Sequence, residues 1–183
     1  AWVSDDSRDL QLTLQLAEGK RKRLMNGKAK RAADLRGIVP SVAFTPDDLE
    51  LARSASSPRR DALDALGSQL SASHHRLCSD YERALKNKNR LLKDEAPDSL
   101  IESIDEVMVL IGAQLTCYRA ALFSRLTKAM GDYYREISGG REELQASYTP
   151  SWVDHDPETV FTATPTRDEA RAALQGSLAM RRS

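Results

Sequence analysis

His74, His75 and Cys78 are the side chains of this sequence with the readiest chemistry. On a helix His74 and Cys78 stand four residues apart on one face. Imidazole and thiolate at that spacing could supply half of a zinc site, because a structural zinc wants four ligands. No second pair accompanies them, since His155 falls in an acidic stretch and Cys117 in an apolar one. A capped helix start and a buried thiol account for the same letters. Ser138-Gly139-Gly140 raises a second possibility, because serine and exposed amides at a helix start can grip a phosphate. Here the glycines follow the longest apolar-periodic segment, where glycine ends a helix. The sequence carries no lysine-containing phosphate loop, no metal quartet and no nucleophile–histidine–acid set. No catalytic, cofactor-binding or metal residue is therefore assigned.

Charge is the other chemical signal. The formal net charge is zero, but it is unevenly spread. Lys20, Arg21, Lys22, Arg23, Lys28, Lys30, Arg31 and Arg36 meet only Asp34 within their stretch. Such a cluster neutralises phosphates without reading bases; equally, charge on a hairpin solvates a face or blunts a sheet edge. Arg83, Lys86, Lys88, Arg90 and Lys93 precede the acids Asp94, Glu95, Asp98, Glu102, Asp105 and Glu106. These two runs are expected to balance each other across a helical turn. Arg59 and Arg60 occupy the first turn of a helix, where positive charge opposes the macrodipole. That placement asks for an anion: Asp61, Asp64, a phosphate or a neighbouring subunit. Lys20, Arg21, Lys22, Arg23, Lys28, Lys30, Arg31, Arg59 and Arg60 are thus the candidate contacts to DNA or a partner.

The elements that hold these residues follow from periodicity. Leu10, Leu12, Leu14 and Leu16 alternate with polar residues, predicting a half-buried strand. Arg21–Met25 is its return partner, and Asn26-Gly27 is a tight-turn signal. Ile38–Phe44 reads as a further buried strand. Thr45-Pro46-Asp47-Asp48 caps a short helix, and Ser57-Pro58 repeats the device for a helix through Leu63 and Leu70. A helix from about Ser73 to Lys93 carries Leu77, Tyr81, Leu85 and Leu92 on one face. Ser99 and Glu102 form a capping box. From Ile104 to Ile137 the apolar residues step by threes and fours, predicting a nearly straight helix over Asp98–Ile137, about 60 Å long. Its partner is the preceding helix, so an antiparallel hairpin follows. Leu144, Ala146 and Tyr148 suggest a strand that rejoins the sheet. Pro150–Pro165 reads as an exposed loop, and Thr166–Glu169 caps a last helix.

With 183 residues, 30% of them charged and 5% aromatic, the chain has the composition of a mostly helical globular protein. Cys78 and Cys117 read as reduced, cytosolic thiols. No uninterrupted apolar run approaches the length of a membrane span. The opening Ala1-Trp2-Val3 and the helical ending at Arg182-Ser183 suggest a piece of a longer protein.

Phe44-Thr45-Pro46-Asp47-Asp48-Leu49 followed by Pro58-Arg59-Arg60 and Leu63-Asp64 resembles the middle of the RecF family of recombination mediators. Tyr81-Glu82-Arg83-Ala84-Leu85, Asn87, Asn89-Arg90-Leu91-Leu92, Ile104-Asp105 and Ser138-Gly139-Gly140 are similar to that family as well. The matches run from about Gly27 to Tyr148. The resemblance implies an α+β, mostly α fold: a helical hairpin arm, called lobe II, on the partial β-sheet of an ABC-type ATPase head. It divides the chain into a lobe I sheet segment (1–56), the arm (57–140), and a return strand, loop and terminal helix (141–183). It further implies a parent protein that uses ATP and Mg, dimerises, binds double-stranded DNA at gap junctions and recruits RecR in the bacterial cytoplasm, with no membrane. The Walker A, signature and Walker B motifs are missing here, so this piece alone is expected to bind no nucleotide. The alternative is a stand-alone, non-catalytic helical-hairpin interaction module.

Overall fold

A computed structural model describes residues 2–5, 8–38, 40–43, 45–51, 53, 55–150 and 164–182. Four strands, β1 (Trp2–Asp5), β2 (Arg8–Ala17), β3 (Lys20–Met25) and β4 (Lys28–Lys30), form an antiparallel sheet in chain order. The expected leucine strand and its basic partner are β2 and β3, and β1 and β4 extend them. Asn26 and Gly27 both sit at positive φ, 49° and 75°. This is the turn whose twist suits a hairpin. Asn26 Oδ1 also accepts the Gln11 amide at 2.8 Å, fixing the register.

The registry sorts the side chains. Leu12, Leu14 and Leu16 oppose Met25, Arg23 and Arg21, and Arg23 in turn opposes Lys30. Directly opposed residues share a face, so the leucines lie on one side with Arg21, Arg23, Lys28 and Lys30. Lys20 and Lys22 lie on the other. No described side chain of the sheet is fully buried.

Residues expected to form the next strand do not do so. Among the described residues of 38–43 there is no strand, and Val42 is 86% exposed; Val39 and Phe44 lie outside the described residues. Pro40 has no amide to give, and the Ser41 amide donates to Gln69 Oε1 at 2.8 Å instead of to a neighbouring strand. Thr45 begins a short 3-10 turn over Pro46–Glu50, its amide donating to Asp48 Oδ2 at 2.6 Å.

Four helices follow: α1 (Ser56–Leu70), α2 (Ala72–Lys93), α3 (Asp98–Ile137) and α4 (Arg167–Arg182). Ser57 lies inside α1, which Ala55 begins. Pro97, not a Ser99–Glu102 box, precedes α3, because fixed φ at Pro97 already sets the helix start. Ser71 caps α2 by accepting the His74 amide at 3.2 Å. Gly139 and Gly140, at φ 63° and 76°, close α3 by donating to the Glu136 and Arg135 carbonyls, the left-handed ending that glycine favours. The Thr166–Glu169 box forms at α4, with Thr166 N and Oγ1 both 2.8 Å from Glu169 Oε2.

The core belongs to the helices. α3 is the spine, packed by α2, α4 and α1. Met108, Val109, Ala113, Leu115 and Ala120 are buried against Leu63, Ala84, Ala170 and Leu174. Gly112 permits the closest approach: a Cβ there would stand 3.0 Å from Leu174 Cδ2 and 3.3 Å from Tyr81 Cε2. The stripe predicted along α3 is covered only in part. Met130, Tyr133 and Ile137 are 44%, 67% and 82% exposed, and on α2 Leu85 and Leu92 are also exposed. α3 has the length and composition of a membrane span over part of its course, which a search for uninterrupted apolar runs overlooks. In this fold it is the core helix against which the others pack, and it holds buried Asp105 and the ion-paired Arg119. Leu144–Tyr148 forms no strand, and none of the described strands pairs with it. Pro150 and 164–165 are described from the expected loop; the intervening 151–163 lie outside the described residues.

Candidate functional site

Polar chemistry inside the bundle converges on Asp64. It sits one turn after the arginine pair of α1, facing α3 across the bundle. Arg119 reaches it with both arms of the guanidinium, Nε to Oδ1 at 2.8 Å and one terminal nitrogen to Oδ2 at 2.5 Å. His74 Nε2 lies 3.1 Å from Oδ1. The histidine is 1% exposed and meets the Tyr118 ring edge-on at 5.8 Å between centroids. Gly67 makes room for it, since a Cβ there would lie 2.6 Å from His74 Cε1. Burial disfavours the Asp64 charge, but Arg119 and then His74 outweigh it and hold the carboxyl down at about 2. Burial likewise opposes the Arg119 charge, and Asp64 reverses the balance and raises it. Tyr148 of the returning segment is raised by burial, with the adjacent Arg119 pulling the other way. Its ring packs on Phe123 at 6.2 Å. One carboxylate therefore ties together α1, α2, α3 and the chain that leaves α3.

Beside this cluster a cleft of about 330 Å³ opens between α1 and α2, with Asp61, Asp64, Ser68, His75, Cys78 and Glu82 on its walls. Ligand atoms of Asp64, His74 and Cys78 all lie within 4.8 Å of one another. The donor set does not suit a cation. Both Asp64 oxygens already accept from Arg119, whose charge repels a metal at that point. Burial, reinforced by the Asp64 charge, pushes the Cys78 thiol up to about 11, so the sulfur is a neutral S–H at neutral pH. The three residues read as a satisfied polar cluster.

The structure separates the candidate cations. Lys20, Arg21, Lys22, Arg23, Lys28 and Lys30 lie on β3 and β4, divided between the two faces as above. Arg31 is engaged by Asp34 in a two-pronged bond, 3.2 and 3.0 Å. α1 starts earlier than expected, so Arg59 closes its first turn and Arg60 opens the second, and Arg60 is close enough to Tyr148 to act on its hydroxyl electrostatically. At the hairpin tip only part of the expected compensation crosses between helices. Lys88 meets buried Asp105 at 2.5 Å, whereas Arg83 pairs with Asp80 inside α2 and Arg90 with Asp94 just beyond it.

Sequence reading missed Arg119. The signal was present: it is the charged residue set among Leu115, Tyr118 and Leu122 on the stripe of a core helix. A cation there needs a buried carboxylate opposite.

No family model matches the chain. Curated proteins named DNA replication and repair protein RecF do. That of Synechocystis sp. is 30% identical over 169 residues, 85% of this chain and 44% of its own length. That of Symbiobacterium thermophilum is 36% identical over 150 residues, covering 80% and 40%. That of Renibacterium salmoninarum is 30% identical over 181 residues, covering 92% and 46%. A solved structure of the recombination mediator protein RecF superposes on 96% of the chain with a TM-score of 0.78 and 24% identity, and the chain covers 46% of it. The mostly helical fold, with its arm and small sheet, is thus the fold of that RecF region. The chain spans a little under half the length of the relatives it matches, and over that span it belongs to the RecF family.

Proposed function

We propose that the chain serves as the arm and adjoining sheet of a RecF-like recombination mediator in DNA replication and repair. The observation that carries this reading is the continuity of the RecF similarity, which runs through sheet and arm together over as much as 92% of the chain. In this reading 1–56 belongs to lobe I of an ATPase head, 57–140 is lobe II, and 141–183 returns to the head. The head works on ATP with Mg, in the cytoplasm. ATP-driven dimerisation moves the arm, and the Asp64–Arg119–Tyr148 cluster makes the arm and the returning segment respond as one piece. DNA and RecR are the partners. Lys20, Lys22 and Arg59 are the proposed DNA contacts. Arg21, Arg23, Lys28, Lys30, Arg31 and Arg60 are the proposed protein-facing cations.

A stand-alone hairpin module is the second reading. The observation in its favour is that α1–α4 close a core to which the described sheet residues contribute no buried side chain. The exposed leucines of β2 weigh against it, because a self-sufficient module would cover them.

The test replaces the matched segment of Synechocystis RecF with this chain. Binding to a gapped duplex is followed by fluorescence anisotropy with and without ATP and Mg, across salt concentrations. ATP-dependent binding is expected, with Lys20→Glu plus Lys22→Glu weakening it and flattening its salt dependence. A graft that folds yet binds DNA identically with and without ATP overturns the proposal.

A further inference from the structure

We infer that the outward face of α2, near the free end of the arm, is a second DNA contact that grips the phosphate backbone through Arg83, Lys86, Arg90 and Lys93. This rests on the RecF reading above and adds a surface to the contacts named there.

Helix geometry defines the face. Lys88 meets Asp105 at 2.5 Å, so it marks the side of α2 turned toward α3. At about 100° per residue, Arg83, Lys86, Arg90 and Lys93 all fall within about 40° of the opposite direction. All four are exposed. Arg83 pairs with Asp80 and Arg90 with Asp94, but these arginine side chains are 75% and 66% exposed. Pairs so open to water contribute little, and a phosphate can replace their carboxylates at small cost. Lys86 and Lys93 make no ion pair among the described residues. The other acid of α2, Glu82, stands on the cleft toward α1. Four cations thus line one open face.

The composition of that face selects its ligand. From Ser79 to Lys93 no apolar or aromatic residue lies within about 60° of the outward direction. A protein partner wants an aromatic or apolar anchor at the centre of its contact, and lysine is depleted there. A phosphate backbone needs only cations along its path. Arg83 to Lys93 rises about 15 Å along the helix, which matches about four base steps of one strand at 3.4 Å each. No substantial contact joins α2 to the sheet. The arm face and the Lys20 and Lys22 face of the hairpin are therefore separate points of attachment.

The experiment measures binding of this chain to a labelled duplex by fluorescence anisotropy, without nucleotide, from about 20 to 200 mM salt. Lys86→Gln plus Lys93→Gln is expected to lower the slope of log K against log salt by about 2, equally on two duplexes of unrelated sequence. Lys86→Arg plus Lys93→Arg is expected to keep the slope. Neither pair should move the melting temperature by more than about 2 °C, since both lysines are exposed. An unchanged slope for the glutamine pair overturns the inference, and weakened binding of RecR by that variant would then assign the face to a protein. In the Synechocystis RecF graft, a slope that still falls with the glutamine pair while DNA binding ignores ATP counts against the functional reading and leaves the arm contact standing.

Discussion

Replacing Arg119 by Met tests whether the Asp64 cluster holds the helices together. Removing one partner of a buried ion pair costs about 3–5 kcal/mol, mostly because the other charge is left behind. Asp64 and Arg119 are 18% and 15% exposed, and His74 still reaches the carboxylate, so the lower end applies, about 3 kcal/mol. For a chain of this size that is a fall in melting temperature of roughly 6–12 °C. Asp64→Asn together with Arg119→Met removes both charges, and the double variant should recover about 2 kcal/mol relative to the sum of the single losses. Urea unfolding followed by far-UV circular dichroism gives all four corners of the cycle.

Acid gives an independent reading of the same pair. Asp64 is held at about 2 against an ordinary 3.8. Its folded value is the lower one, so its contribution is complete above about pH 5 and is lost as pH falls from about 4 to about 2. The loss amounts to about 2 kcal/mol. In Arg119→Met that acid-dependent loss should shrink, since Asp64 then titrates nearer its ordinary value. A loss under about 1 kcal/mol for Arg119→Met, strict additivity in the cycle, and an unchanged acid limb would together refute the assignment.

Gly67→Ala should destabilise by about 1–3 kcal/mol, because its Cβ would fall 2.6 Å from the His74 ring; an unchanged urea midpoint would show that His74 shifts freely. The Cys78 thiol, raised to about 11, should react with a disulfide reagent at pH 8 far more slowly than a free thiol, and should accelerate on unfolding. Rapid native-state labelling at Cys78 would contradict the raised thiol. Thr166→Ala removes the cap that both anchors Glu169 and accepts its amide. About 1 kcal/mol should be lost, with faster hydrogen exchange confined to the first turns of α4. Exchange rising throughout α3 instead would show that α4 is needed to hold the spine.

Local rules carried further than tertiary ones. The alternation of Leu10–Leu16, the Asn26-Gly27 turn, the 3.6-residue stripe of α3 and its glycine ending each rest on a few neighbouring residues, and each was legible in the letters. The two strands expected at Ile38–Phe44 and Leu144–Tyr148 did not form. Apolar alternation marks a segment that can pair, but a strand exists only where another backbone lies alongside, and here Gln69 and Arg119 hold those segments instead. The capping devices behaved likewise: Thr166–Glu169 formed, while Ser57 and Ser99 fell one or two residues inside their helices.

The sequence by itself determined the helical arm, the basic hairpin and the kinship that names its family, because periodicity, turn chemistry and motif order are properties of adjacent residues. Only the tertiary structure decided that Asp64 and Arg119, 55 positions apart, share one bond, and that the cations of β3 and β4 part between a wet face and a leucine face. Both are distances across the fold, set by which surfaces the packed helices and the strand registry bring together, and spacing along the chain does not encode them.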